Sequence, residues 1–140
     1  MTREQIVDLF TRREAALNQR SVDTLVAMYA EDAVVESPMG GTQHGRDAIR
    51  DVFTVFFDAF TNAAFTTEDL IIDGDRVAHV ITFSAIDNGG LMGTAPSGKL
   101  AVVPVVFVCR LAGGLIQHER RIYDFTGLLV QVGVLKARPA

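Results

Sequence analysis

Apolar residues recur at helical spacing along the first half of the chain, and along most of the second half they alternate or run together as in strands. Ile6, Leu9, Phe10, Arg13 and Leu17 share one face of a helix that Thr2 and Gln5 open with a capping-box signature. Ser21 starts a second, short helix carrying Val22, Leu25, Val26, Met28 and Tyr29. Ala33 to Ser37 reads as a short β-rich piece closed by Pro38, and Gly40-Gly41 opens a loop that runs to Gly45. Arg46 to Phe60 is the clearest helix, with Ile49, Val52, Phe53, Phe56, Phe57 and Phe60 on one face. Such a face serves as core or as the wall of a ligand site, and Phe53 and Phe57 are the candidates for wall.

From Ala64 the period changes. Phe65 to Ile72 turns at Asp73-Gly74-Asp75 into Arg76 to Ile86, and Asn88-Gly89-Gly90 ends that segment. A Gly-, Pro- and Ser-rich loop, Leu91 to Gly98, leads into Leu100 to Leu111, and Ala112-Gly113-Gly114 turns the chain into a last strand. Strands joined by turns, with helices gathered before them, predict an α+β domain: an antiparallel meander with the N-terminal helices covering one face. The nearly continuous apolar run from Leu100 to Cys109 predicts a strand covered on both faces, by helices on one and by a second subunit on the other. Leu128, Leu129, Val132 and Leu135 fall at helical spacing in the tail, and Lys136 to Ala140 are expected to fray.

At 140 residues the chain is long enough for a single domain, 1–140, with its own core, and no linker or repeat divides it. A formal charge of −4 with scattered cations argues against a nucleic-acid or anionic-membrane surface. The N-terminus has no hydrophobic signal region and the longest apolar run is half a membrane span, so the chain reads as cytoplasmic. Cys109 is the single cysteine, excludes an internal disulfide, and reads as a buried small hydrophobe. No phosphate loop, nucleophile elbow or metal-spaced His/Cys/Glu cluster is present, so no metal or cofactor is expected. His44 reads as exposed and His79 as a satisfied core histidine.

The titratable residues concentrate in Gly114 to Phe125. Strict alternation puts Ile116, His118, Arg120, Ile122 and Asp124 on one face and Gln117, Glu119, Arg121, Tyr123 and Phe125 on the other. Taking the first set as inward makes His118, Arg120 and Asp124 candidate catalytic residues, since buried charges need a pocket, a partner or water. Along one face His118 and Arg120 stand roughly 7 Å apart and Arg120 and Asp124 roughly 13 Å, too far for that pair to meet. Arg13 either snorkels at the edge of its helical stripe or reaches into a cavity beneath it. In the second case it can pair with Asp124 and lower its pKa; left free among phenylalanines, Asp124 has a raised pKa suited to acid–base work.

Several stretches resemble the SnoaL-like proteins: Ala15-Ala16-Leu17-Asn18, Asp23 to Ala33, Val35-Glu36-Ser37-Pro38, Gly45-Arg46-Asp47-Ala48-Ile49, and Tyr123-Asp124-Phe125-Thr126-Gly127-Leu128-Leu129. This family is part of the nuclear-transport-factor-like superfamily, with polyketide cyclases and ketosteroid isomerase as relatives. The resemblance implies a cone, with helices on the concave side of a curved sheet, a mostly apolar internal pocket for a small hydrophobic molecule, and a homodimer through the outer sheet face. Matching ketosteroid isomerase, with its Asp base, Tyr and protonated Asp, puts Ser37 at the base, Arg13 near the Tyr and Val106, or a neighbour if Pro104 makes a bulge, at the acidic donor, so steroid isomerisation by that mechanism is not expected. In the polyketide cyclases of the family the general acid/base is an Asp on the last strand, which Asp124 matches, with Arg120 at a position often Trp and His118 at a frequent Glu. The implied chemistry is proton transfer by Asp124 on a cyclase- or isomerase-type substrate while His118, Arg120 or Tyr29 holds an oxyanion. The alternative is a non-catalytic binding or dimerisation domain in which Arg13 and Asp124 are structural.

Overall fold

The computed structural model describes residues 1–136. In chain order these form α1 (Arg3–Asn18), α2 (Val22–Val26), β1 (Tyr29–Ser37), β2 (Gly41–His44), α3 (Gly45–Ala59), β3 (Ala64–Asp73), β4 (Arg76–Ile86), β5 (Leu100–Ala112), β6 (Leu115–Tyr123) and α4 (Phe125–Gln131). The capping box closes as expected: the Thr2 hydroxyl accepts from the Gln5 N–H at 3.1 Å, and the Gln5 amide accepts from the Thr2 N–H at 2.8 Å. Of the fraying expected over Lys136–Ala140, residues 137–140 lie outside the described residues.

The strands form one curved, unclosed sheet in the order β2-β1-β6-β5-β4-β3. It is α+β as expected, but mixed rather than wholly antiparallel, because β1 and β6 pair in parallel. They come from opposite ends of the chain and no hairpin joins them, so nothing forces them to run in opposite directions. The β3-β4-β5-β6 meander is antiparallel throughout. The expected loop after Gly40 contains the short edge strand β2, which pairs with the end of β1.

Alternation along β4 and β5 is clean. Val77, His79, Ile81, Phe83 and Ala85, then Ala101, Val103, Val105, Phe107, Cys109 and Leu111, are buried under the helices. Ile49, Phe53, Phe57 and Phe60 of the third helical segment are buried against this surface, with Phe56 packed at its margin. The other face of the sheet is apolar yet open in the single chain: Ile71 is 55% exposed, and Val102 and Ile122 45% each. Val106 sits on that outer face, opposite Val80 and Ile122, so the pocket position that the ketosteroid isomerase match gave it does not hold. An odd-numbered strand interior at Val105 and Phe107 leaves the even-numbered Val106 no other direction.

Two departures from alternation shape the sheet. Thr67 and Asp69 of β3 pair with successive residues of β4, leaving Glu68 as an extra residue. On β6, Ile116 pairs with Leu111 and His118 with Arg110, leaving Gln117 extra. Such bulges sharpen the local twist and bend the sheet around the helices. The bulge at Gln117 also changes which side chains of β6 enter the interior, because a one-residue shift exchanges the two faces. Among the described residues no helix is long and apolar enough to cross a membrane.

Candidate functional site

Between α3 and the concave side of β5 and β6 lies a cavity of about 70 Å³. Six phenylalanines line it, Phe53, Phe56, Phe60, Phe65, Phe83 and Phe107, together with Leu17, Met39, Val52, Val103, Val105 and Leu128. Its polar lining consists of Ser37, Arg121 and Tyr123. The volume is well under the roughly 300–1,000 Å³ of pockets that enclose drug-sized ligands. A larger guest therefore requires the half-buried Met39, Phe56 and Tyr123 to swing outward.

Directly behind Arg121 is a buried ionic cluster. The carboxylate of Glu119 accepts from Arg13 Nη2 and from the Tyr29 hydroxyl (2.8 Å) on Oε1, and from Arg121 Nε (2.8 Å) on Oε2. Arg13 Nη2 also donates to the Tyr29 hydroxyl at 3.0 Å, and the Cys109 thiol lies 3.7 Å from Oε1. The guanidinium carbons lie over aromatic rings: Arg13 Cζ is 4.3 Å from the Phe107 centroid, and Arg121 Cζ is 4.7 Å from that of Phe53. Burial pushes the Glu119 carboxyl up, but Arg13 and Arg121 more than reverse this and hold it below its ordinary value. Burial pulls the Arg13 guanidinium down, and Glu119, then Tyr29, more than restore it. Burial raises the pKa of both the Tyr29 hydroxyl and the Cys109 thiol, so both are neutral at pH 7. His79 lies nearby with Nε2 at 2.8 Å from the Thr67 hydroxyl, and burial followed by the Arg13 charge lowers its pKa to about 4. His79 is a core histidine as read, though only half satisfied: its Nδ1 has no partner.

The inward set of β6 is therefore Ile116, Glu119, Arg121 and Tyr123, and not His118, Arg120 and Asp124. The extra residue at Gln117 resets the alternation that carried the original count from Ile116. His118 faces outward and bonds Glu36 at 2.9 Å. Arg120 is exposed opposite Val108 on the outer face. Asp124 ends the strand as an exposed N-cap for α4, its Oδ1 accepting from the Gly127 N–H at 2.8 Å. Arg13 does reach beneath its helix, but to Glu119 rather than Asp124. Tyr29 belongs to the ionic cluster and does not line the cavity. Ser37 and Phe53 do line it, whereas Phe57 is core, stacked on Phe53 at 6.1 Å between centroids.

Glu119, Arg121 and Tyr123 are thus the interior groups that alternation alone misassigned. A signal for Glu119 was present: an arginine on an apolar helical stripe requires an internal carboxylate, and Glu119 was the other acid on the last strand. Chemically, the arrangement offers a fixed cation and two hydroxyls at an apolar cavity, with no carboxylate or imidazole among the described residues that line it. No group of three or more His, Cys, Asp or Glu among the described residues has an arrangement able to hold a metal ion.

The contrast between the two acids is measurable by urea unfolding. Glu119→Gln leaves two guanidiniums without their counter-charge and should cost about 3–5 kcal/mol, whereas Asp124→Ala removes only a helix cap and should cost about 1 kcal/mol; equal losses would contradict the assignment. His79 sets the acid side of the stability profile. Its folded pKa of about 4 lies below its ordinary 6.5, so the unfolded chain binds more protons between those values and stability falls as pH drops through that window. The depressed Glu119 adds its loss below its ordinary 4.5. His79→Phe should therefore flatten the profile between about pH 4.5 and 6.5 while leaving the steeper fall at lower pH, as read by denaturant midpoints across pH.

Comparison with known proteins agrees with this fold. The family model for SnoaL-like polyketide cyclase matches residues 7–132. Among curated proteins, none matches the sequence. Among solved structures the chain superposes on AclR from Streptomyces galilaeus with a TM-score of 0.84 at 24% identity, covering 97% of this chain and 85% of that one. TsrD from Streptomyces laurentii gives a TM-score of 0.84 at 22% identity, with 96% and 99% covered. TerC, co-crystallised with polyporic acid, gives 0.77 at 16% identity, with 92% and 98% covered. At these identities the structural likeness speaks for the fold, and the family match over residues 7–132 carries the assignment. The chain belongs to the SnoaL-like polyketide cyclase family.

Proposed function

We propose that the cavity binds a small, largely apolar carbonyl compound and promotes its cyclisation, with Arg121 holding the oxygen that becomes negative. The observation that carries this reading is the cavity lining: aromatic walls and one guanidinium, backed by Glu119. Aromatic walls fold a flexible substrate into a compact form and so supply proximity. In an intramolecular aldol closure the α-carbon loses a proton, a C–C bond forms to the carbonyl carbon, and the carbonyl π electrons move onto oxygen. Arg121 stabilises that oxyanion in a site from which water is excluded. Tyr123 has its pKa raised by burial, is therefore protonated at neutral pH, and gives its hydroxyl proton to the alkoxide. The α-proton goes to water at the cavity mouth, and solvent reprotonates the tyrosine, so the reaction consumes no net proton. Asp124 has no part in this scheme, because it stands outside the cavity as a helix cap.

A second reading, binding without chemistry, is favoured by the absence of Asp, Glu and His from the described lining residues. The two separate in one assay on an aryl 1,3-diketone carrying a tethered ketone, whose closure is followed by absorbance. Catalysis predicts faster closure by the wild type, a loss of roughly 10²–10³-fold in Arg121→Gln, and an unchanged rate in Asp124→Asn. Saturable binding of the diketone with no acceleration would leave only the binding reading.

We further propose that the open apolar face carrying Ile71, Val102, Val106 and Ile122 joins two copies of the chain. Sedimentation velocity should give a dimer for the wild type and a monomer for the Val102→Asp/Ile122→Asp variant; a monomeric wild type rules the arrangement out.

A further inference from the structure

Resting on the reading of the cavity as a small-molecule site, we infer that its ligand is an organic anion before any reaction begins, seated edge-on against Arg121. The inference comes from charge and from hydrogen-bond supply. The buried cluster contains two guanidiniums, Arg13 and Arg121, and one carboxylate, Glu119, which leaves one positive charge without a counter-ion. The neighbouring Tyr29, Cys109 and His79 do not supply it, since each is neutral in its buried position.

Glu119 meets Arg121 through a single bond, at Nε. Its Oε1 already meets Arg13, Tyr29 and Cys109, and its Oε2 takes Arg121 Nε. Arg121 Nη2 is buried without a partner, as are Nε and Nη1 of Arg13, but of the two guanidiniums only that of Arg121 borders the cavity, its side chain 11% exposed. Phe53 and Phe107 lie with their ring centroids 4.7 and 5.8 Å from Cζ and give its N–H groups no acceptor oxygen. What remains is the in-plane edge, the direction from which carboxylates and other delocalised oxyanions pair with arginine.

The surrounding walls make this a matter of selection. A neutral ligand that fills an aromatic cavity expels water and leaves an unpaired cation more desolvated than before, so its binding is penalised. An anion of the same shape removes the penalty by supplying the missing charge. A neutral donor such as glutamine would suffice to polarise a ketone; an arginine with a free buried N–H is matched to a full charge.

The test uses an isosteric pair, 2-naphthoate and 2-naphthamide, with binding to the wild-type protein measured by calorimetry at pH 7. The naphthoate should bind at least about tenfold more tightly, the size expected for a charge-assisted hydrogen bond to a buried cation. In Arg121→Gln, with folding checked by circular dichroism, the preference should shrink to within about twofold while the amide keeps its affinity. If that variant does not fold, the wild-type pair still decides, and Arg121→Lys, which keeps the charge but loses the planar edge, should retain only part of the preference. Equal binding of the two probes, or tighter binding of the amide, overturns the inference while leaving the pocket reading standing. Binding of neither probe sinks both.

Discussion

The carboxylate of Glu119 is the point on which the interior depends. It holds two arginines that arrive from different elements, one from the first helix and one from its own strand, and it is itself held by Tyr29 from the start of the first strand. Without it, two desolvated guanidiniums would face each other across the core, which no amount of aromatic contact would offset. With it, Arg13 becomes a tie between helix and sheet, and Arg121 becomes a fixed cation at the end of an apolar cavity. The group that ties the first helix to the sheet is also the group that holds the cation at the cavity.

A division of labour follows. Arg13, Tyr29, Cys109, Glu119 and Arg121 form the buried cluster, while Ser37, Arg121 and Tyr123 line the cavity. Only Arg121 belongs to both. The phenylalanines divide in the same way: Phe57 packs into the core beside Phe53, and Phe53 turns its ring both to the cavity and to the guanidinium. Phe56 contacts Phe57, Phe60, Phe65 and Phe83 at once, which keeps the cavity small.

Most of the fold was legible in the sequence because it rests on long periodic segments. The Phe-rich helix, the Asp73-Gly74-Asp75 turn and the unbroken Leu100 to Cys109 run each contain several residues that agree with one another. The site was legible only in part because it rests on parity, and parity is lost with a single extra residue. His118, Arg120 and Asp124 were counted from Ile116 across Gln117, where no glycine or proline marks a bulge. Arg13 was the clue that survived, since its place on an apolar stripe depends on helical spacing and not on any strand register. The parallel pairing of the first and last strands was invisible for a different reason: no local signal specifies which strands meet when the chain between them is long.

The bulge at Gln117 has one more consequence, which concerns how such a pocket diversifies. Beyond it, the strand carries two complete sets of side chains, one lining the interior and one held in reserve on the surface. Pairing Gln117 into a regular ladder, with no residue removed, would withdraw Glu119, Arg121 and Tyr123 and present His118, Arg120 and Ile122 in their place, whereas deleting Gln117 would keep the present set. A cavity built on such a strand can exchange its chemistry through a change in register alone, and two strands of the same sequence and length, one bulged and one regular, would hold opposite contents.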